Sequence, residues 1–453
     1  MIAMGGETQK SLQVRHIMKL ISFKQFASAI ALAGASGALA AQPVTGDAPE
    51  AHVAPHAAPG QQEIAIMDDP LAAEAPRALV WQEADVEALS AFIDGVAAEG
   101  LDPADYDPEG LRAAIASGDA NAISEAATER FNTLSSDLAL GHVRGKARVD
   151  WHIEDPDLNQ DRQRALLEWA LYHGSITKVL NELLPQHPQY QSLKTALAKA
   201  DPADSDAIAA IRLNMDRWRW LPADLGDRYI IVNVPAYTAA LVENGETTSR
   251  HRAVAGAVKT PTPQLMAKAT GVTFNPYWYV PKSIEPEVRG KAGFEAVKDE
   301  DGGIKYWRQP PGPNNSLGRV KFTMYNEHLI YLHDTNARSL FNAEERARSH
   351  GCIRTENILG LATMLLGQGD TGWDAAKTVE VLNSGKETPA SFAEPLPVYI
   401  VYFSVAAATD GRIVNYDDIY SRDKSVRQAL GDWPVKGQKV REAKAGEAVK
   451  PAA

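Results

Sequence analysis

Apolar residues recur at helical spacing through the first half of the chain and at alternate positions through the second. Val86, Leu89, Ala91, Phe92 and Val96 follow helical spacing, and Gly100-Leu101-Asp102-Pro103 ends that helix, because glycine and proline stop helical turns. A second stripe is Ile123, Ala126, Ala127, Phe131, Leu134 and Leu138, and a third is Leu166, Leu167, Ala170 and Leu171. A fourth helix is expected over residues 208–221, with Met215, Trp218 and Leu221, stopped by Pro222. Stripes of this kind normally face a core rather than a cofactor. At Tyr229 the period becomes two and β-branched residues take over. Residues 229–234 predict a strand, and residues 237–243 and 247–258 flank Asn244-Gly245, a tight-hairpin dipeptide. Further strands are expected at residues 271–274, 320–325, 329–332 and 396–403, with Asp410-Gly411 turning the chain into residues 412–415. Two helices interrupt them, at residues 355–367 and 373–384.

This pattern predicts a multidomain α+β chain: a helical scaffold over residues 76–221, then a mainly β domain over residues 222–421. A single core is not expected at 453 residues, since cores stop growing at roughly 250–300 residues. Both ends read differently. Arg15, Lys19 and Lys24, the apolar run 26–35 and Ala38-Leu39-Ala40 form an export signal over residues 1–40, cut between Ala40 and Ala41. The expected location is therefore the periplasm. Residues 41–75, rich in alanine, proline and acids, read as a linker, and residues 422–453 as a disordered tail. A net charge of −12 argues against nucleic acid and anionic membrane surfaces as partners. No later segment has the length of a membrane span.

The chain has one cysteine, Cys352, in Ser349-His350-Gly351-Cys352-Ile353-Arg354. It cannot form an internal disulfide, and exported domains use cysteine mostly in pairs, so it is a nucleophile candidate. Arg354 and the start of a helix opened by Thr355 and Glu356 are expected to lower its pKa. Three histidines, His328, His333 and His350, could take its proton. His350 lies too close along the chain to face the sulfur comfortably. His333, at the end of the strand expected over residues 329–332, is the better base. A zinc site from these residues would lack paired-ligand spacing, so no metal or cofactor is expected.

Tyr331-Leu332-His333-Asp334-Thr335 followed by Ser349-His350-Gly351-Cys352-Ile353-Arg354 resembles the signature of the YkuD-domain L,D-transpeptidases. Gly312-Pro313-Asn314-Asn315-Ser316-Leu317-Gly318-Arg319 is similar to that family's glycine-asparagine loop. Phe274-Asn275-Pro276-Tyr277-Trp278, Asn214-Met215-Asp216-Arg217-Trp218-Arg219-Trp220 and Gly100-Leu101-Asp102-Pro103-Ala104-Asp105-Tyr106 are similar to its large periplasmic (YcbB-like) branch with a scaffold domain. The resemblance implies a cysteine enzyme of cell-wall biogenesis and cell shape. Cys352 would attack the bond before the terminal D-alanine of a peptidoglycan tetrapeptide stem, His333 serving as base and then acid. The thioester would pass to the third residue of an acceptor stem, giving a 3–3 cross-link. Backbone N–H groups near Gly351 and Cys352 would hold the oxyanion, with Ser349, His350 and Arg354 organising the site. Tyr331, Tyr277, Trp278 and Asn315 would bind substrate. Cell-wall synthesis partners and acylation by carbapenems are implied as well. The alternative is an L,D-carboxypeptidase or endopeptidase using the same residues. Two departures from the branch stand out: no wall-binding module separates the scaffold from the β domain, and the capping insertion, about residues 282–311, is short.

Overall fold

The computed structural model describes residues 79–155, 157–369 and 371–431; the expected export signal, the linker and the chain beyond residue 431 lie outside them. The scaffold helices are α1 (Glu83–Gly95), α2 (Pro108–Ser117), α3 (Ala120–Leu140), α4 (Gln160–His173), α5 (Ile176–Glu182), α6 (Pro188–Lys199) and α7 (Ser205–Trp218). Their starts are written in side chains: Asp107, Asp119, Asn159 and Asp204 each accept a first-turn N–H. Pro108 and Pro188 occupy first-turn positions where no N–H is needed. The buried face of α1 is Val86, Leu89 and Ile93, with Val96 just beyond. Ala91 is exposed and Phe92 half-buried, so the expected stripe is off by one position where Ile93 replaces Phe92 as the core residue.

The strands are β1 (Trp151–His152), β2 (Arg228–Asn233), β3 (Thr238–Glu243), β4 (Glu246–Gly256), β5 (Gln264–Phe274), β6 (Trp278–Tyr279), β7 (Glu295–Lys298), β8 (Ile304–Gln309), β9 (Val320–Met324), β10 (Leu332–His333), β11 (Ala347–Ser349), β12 (Ile353–Thr355), β13 (Thr388–Val401), β14 (Val405–Ala407) and β15 (Ile413–Asn415). The main sheet runs β5-β13-β2-β3-β4-β12-β10-β9, and β9 pairs back onto β5, closing the ring. Asn244 and Gly245, both at positive φ, make the β3–β4 turn. Ile230, Val232, Leu241, Phe274, Phe322, Leu332, Ile353, Val398 and Ile400 share one core. Leu361 and Leu365 of α9 (Ile358–Leu366) pack into the same core, and α10 (Ala375–Ser384) follows; α8, one short turn (Glu285–Val288), lies in the cap between β6 and β7. That cap is the small sheet β6-β8-β7 over its own cluster of Val280, Ile284, Val288 and Trp307.

Two local expectations are overturned. Leu329 has a left-handed φ of +55°, so the strand expected at residues 329–332 starts only at Leu332. Thr355, expected to open a helix, instead ends strand β12, and α9 starts at Ile358 after Asn357 turns left-handed. The tail is corrected as well. Residues from 422 were expected to be disordered, yet α11 (Asp423–Leu430) buries Val426 and Leu430 against Leu213 and Trp220.

Scaffold and β domain pack as one compact unit from Leu79 onward, not as two beads on a linker. The joint is α7 with the residues just after it. The fully buried Asp216 carboxylate accepts the N–H groups of His142 (2.7 Å) and Val143 (3.2 Å) and the Trp220 indole N–H (2.9 Å). Trp218 stacks between His187 (4.1 Å) and Phe403 (4.4 Å). Arg217 donates to Asp423 (2.7 Å) and to Ser404 Oγ (3.3 Å). Strand β1 also pairs in parallel with β5. The motif Asn214 to Trp220 thus clamps helices to barrel.

Candidate active site

Strands β10 and β12 are parallel neighbours, with Leu332 opposite Ile353 and His333 opposite Arg354. One step back, Tyr331 stands beside Cys352, and the Ile353 N–H donates to the Tyr331 carbonyl at 3.1 Å. Successive side chains on a strand point to opposite faces. Leu332 and Ile353, both fully buried, go into the core, so Tyr331, His333, Cys352 and Arg354 share the other face. His333 and Cys352 are diagonal across this pair, roughly 8 Å apart at Cα from strand spacing and rise, a span their side chains bridge by turning toward each other. Leu332 and Ile353, by being apolar, therefore turn Cys352 and His333 onto one shared face.

His333 is buried, at 5% exposure, and its Nδ1 lies 2.5 Å from the Asp334 carbonyl. A carbonyl only accepts, so Nδ1 carries the proton and Nε2 keeps the lone pair that a base needs. Burial first, then the charge of Arg354, drives the imidazole down to about 3. Burial pushes the Cys352 thiol up to about 11, outweighing the Tyr331 hydrogen bonds and the charges of Arg354 and Lys321. The expected lowering of this thiol is therefore corrected: the helix meant to help begins six residues after Cys352, and desolvation exceeds the cation effect. At neutral pH the pair is thiol and neutral imidazole.

The loop before Cys352 is pinned by hydroxyls. Ser349 Oγ donates to the Cys352 carbonyl (2.6 Å) and accepts the Gly351 N–H (3.1 Å). Thr260 Oγ1 donates to the Ser349 carbonyl (2.9 Å), and Thr262 Oγ1, fully buried, donates to the Gly351 carbonyl (2.7 Å). Gly351 sits at φ +115°, where a side chain would be strained and its Cβ would lie 3.1 Å from Ile330. Its N–H is spent on Ser349, which leaves the Cys352 N–H as this loop's backbone donor for an oxyanion. Thr260 and Thr262 were not singled out from sequence, and a Thr-Pro-Thr-Pro run carries no signal beyond a turn.

The other expected residues are dispersed. Tyr331 is closest to Cys352, its hydroxyl hydrogen-bonded to the Cys352 side chain. His350 faces the cap instead, with Nε2 3.1 Å from the Glu287 carboxylate on α8. His328 packs on His152 at 4.1 Å. Trp278 joins the cap cluster, and Tyr277 lies under the Arg308 guanidinium at 4.7 Å. Asn315 was expected to bind substrate, but it is 1% exposed and its amide donates to the carbonyls of Pro276, Gln309 and Pro310. Its side-chain oxygen accepts from the Leu317 N–H. It has no polar group left for a ligand and instead folds the loop. Among the described residues no group of three His, Cys, Asp or Glu could hold a metal, and no helix is long and apolar enough to cross a membrane.

Residues 227–390 match the family of L,D-transpeptidase catalytic (YkuD) domains, and residues 75–197 match the Scaffold domain family. The chain thus carries a YkuD L,D-transpeptidase catalytic domain behind a Scaffold domain. A Haemophilus influenzae protein named "Putative L,D-transpeptidase" is 29% identical over 344 residues, covering 67% of this chain and 69% of that protein. Among solved structures, the avibactam carbamoyl enzyme of Ldtfm shares 14% identity with a TM-score of 0.24, over 40% of this chain and 51% of that one. A cysteine-to-serine mutant of the Enterococcus faecium L,D-transpeptidase shares 14% identity with a TM-score of 0.23, over 39% and 50%. The chain thus spans about half the length of these solved relatives, and at such scores they add nothing to the geometry above.

Proposed function

We propose that this L,D-transpeptidase joins peptidoglycan stems in the periplasm by 3–3 cross-links, through a thioester on Cys352. The observation that carries the reading is the one sheet face, shared by β10 and β12, holding Cys352, Tyr331, His333 and Arg354, in a domain of this family. Sγ attacks the carbonyl of the third stem residue as its proton passes to His333 Nε2. The Cys352 N–H takes the oxyanion, a donor worth roughly 3–4 kcal/mol in other acyl-transfer enzymes. When the tetrahedral intermediate collapses, His333 returns the proton to the leaving nitrogen and D-alanine departs. The side-chain amine of the acceptor's third residue then attacks the thioester, losing its proton to the same imidazole; the C–S bond breaks as the new amide forms, and the proton returns from His333 to Sγ. In the resting pair the proton sits on sulfur and the lone pair on His333, and burial opposes charging either group, so the proton has to move together with the attack on the carbonyl rather than before it.

The test is mass spectrometry of products from disaccharide-tetrapeptide with the wild type and Cys352→Ala. Dimers linked between third residues, formed only by the wild type, are expected. Tripeptide and free D-alanine without dimers would transfer the same chemistry to water and make the protein an L,D-carboxypeptidase. The absence of both products would overturn the role given to Cys352.

A further inference from the structure

The face that carries Cys352 continues onto a third strand. Lys321 on β9 lies directly opposite His333 in the antiparallel β9–β10 pair, and directly opposed residues project to the same side. The row across the sheet is therefore Lys321, His333, Arg354. Lys321 is half-buried, and its ammonium stands 5.8 Å from the Tyr331 ring centroid. Arg354 is half-buried too, with a buried Nε that meets no hydrogen-bond partner. Among the described residues neither cation forms an ion pair. The charges that act most on His333 are those of Arg354 and Lys321. Two unpartnered cations astride a buried base are costly unless an anion from outside completes them.

We propose that Lys321 and Arg354 form a clamp for the free terminal carboxylate of the donor stem, with Lys321 a specificity-determining residue that no motif had marked. The inference rests on the reading of Cys352 and His333 given above. His333 hands its proton to the leaving nitrogen, and in a terminal amino acid the carboxylate is joined to the carbon next to that nitrogen. A carboxylate so placed falls in the same row as the imidazole, between the two cations. The clamp selects stems that end one residue beyond the scissile bond, which excludes amidated or extended termini and argues against endopeptidase action. Guanidinium and ammonium divide the work: the flat fork of Arg354 can take both oxygens, and Lys321 adds a point charge.

The experiment compares two alkylating probes on the whole protein, whose one cysteine reports the site. In both, Sγ bonds to the methylene carbon and iodide leaves; iodoacetate is an anion and iodoacetamide is neutral. At low salt the iodoacetate-to-iodoacetamide rate ratio at Cys352 should fall about tenfold in Lys321→Met and recover in Lys321→Arg. In parallel, kcat/KM is measured for tetrapeptide stems ending in D-alanine and in its amide. The wild type should prefer the acid, chiefly through KM, and Lys321→Met should lose most of that preference. An alkylation ratio indifferent to Lys321, or a wild type that turns over acid and amide equally, overturns the clamp. A ratio that responds while neither stem is turned over leaves the anion site standing and removes the proposed function instead.

Discussion

A thiol driven up to about 11 beside an imidazole driven down to about 3 cannot form an ion pair at neutral pH. Its alkylation should therefore track the small thiolate fraction. For iodoacetamide, the rate at Cys352 should climb about tenfold per pH unit from pH 7 and show no plateau before about pH 11. A plateau near pH 6, read by intact mass against time, would mean that His333 already holds the proton. The sign of the histidine shift gives a second limb. Its folded pKa lies below the ordinary 6.5, so it stays neutral, with its lone pair unoccupied, as pH falls through 6.5. Transpeptidation should keep its histidine-dependent acid limb below pH 4, provided the rest of the fold survives there. The residue scale was only partly legible in the sequence. Cys352 and His333 were visible because their residue types are rare and their order along the chain is specific. Their protonation was not, because it depends on burial, and neighbouring letters do not report burial.

Between residue and element stands Thr262. Its hydroxyl accepts the Gly256 N–H at 2.9 Å and donates to the Gly351 carbonyl at 2.7 Å, joining the end of β4 to the loop that aims Cys352. Thr262→Val keeps the shape and strands two backbone groups in a site with no solvent access. The expected cost is about 1–3 kcal/mol for each group left unpaired, seen as a lower urea midpoint. Loss of kcat should exceed any rise in KM, because the nucleophile is mis-aimed while the substrate surfaces are untouched. Unchanged stability and turnover would show that the loop is held by Ser349 and Thr260 alone. The elements themselves divide by length. Long stripes such as Leu134 and Leu138 on α3, and the hairpin at Asn244-Gly245, were readable because each repeats a period or uses a demanding turn. Strands β10 and β12 were blurred: each is only two or three residues long, too short to show a period. In β12 Thr355, followed by Glu356, reads as well as the opening of a helix as it does as the end of a strand. The register that places Lys321 beside His333 is a tertiary fact, and no local pattern encodes it.

At the scale of the whole molecule, the scaffold is part of the catalytic body. The fully buried Asp216 ties α7 to the chain at His142 and Val143 and to Trp220, while Arg217 and Trp218 reach Asp423, Ser404 and Phe403 on the barrel side. Such a joint predicts that helices and barrel unfold together. Far-UV circular dichroism, weighted to the helices, and the accessibility of Cys352 to a thiol probe, which reports the barrel, should show coincident urea midpoints. Asp216→Asn should move both midpoints down together by about 3–5 kcal/mol, because an amide in that pocket turns N–H groups toward N–H groups and leaves Arg219, 3.6 Å away, without its charge. If the helical signal alone shifts, the two regions are separable and the Asn214 to Trp220 motif is only a scaffold feature. If both shift, a lesson follows for engineering: a catalytic domain cut at residue 222 would expose Trp218's partner Phe403 and leave Ser404 and Asp423 without Arg217, so truncation should yield a barrel that reports neither the stability nor the activity of the intact chain.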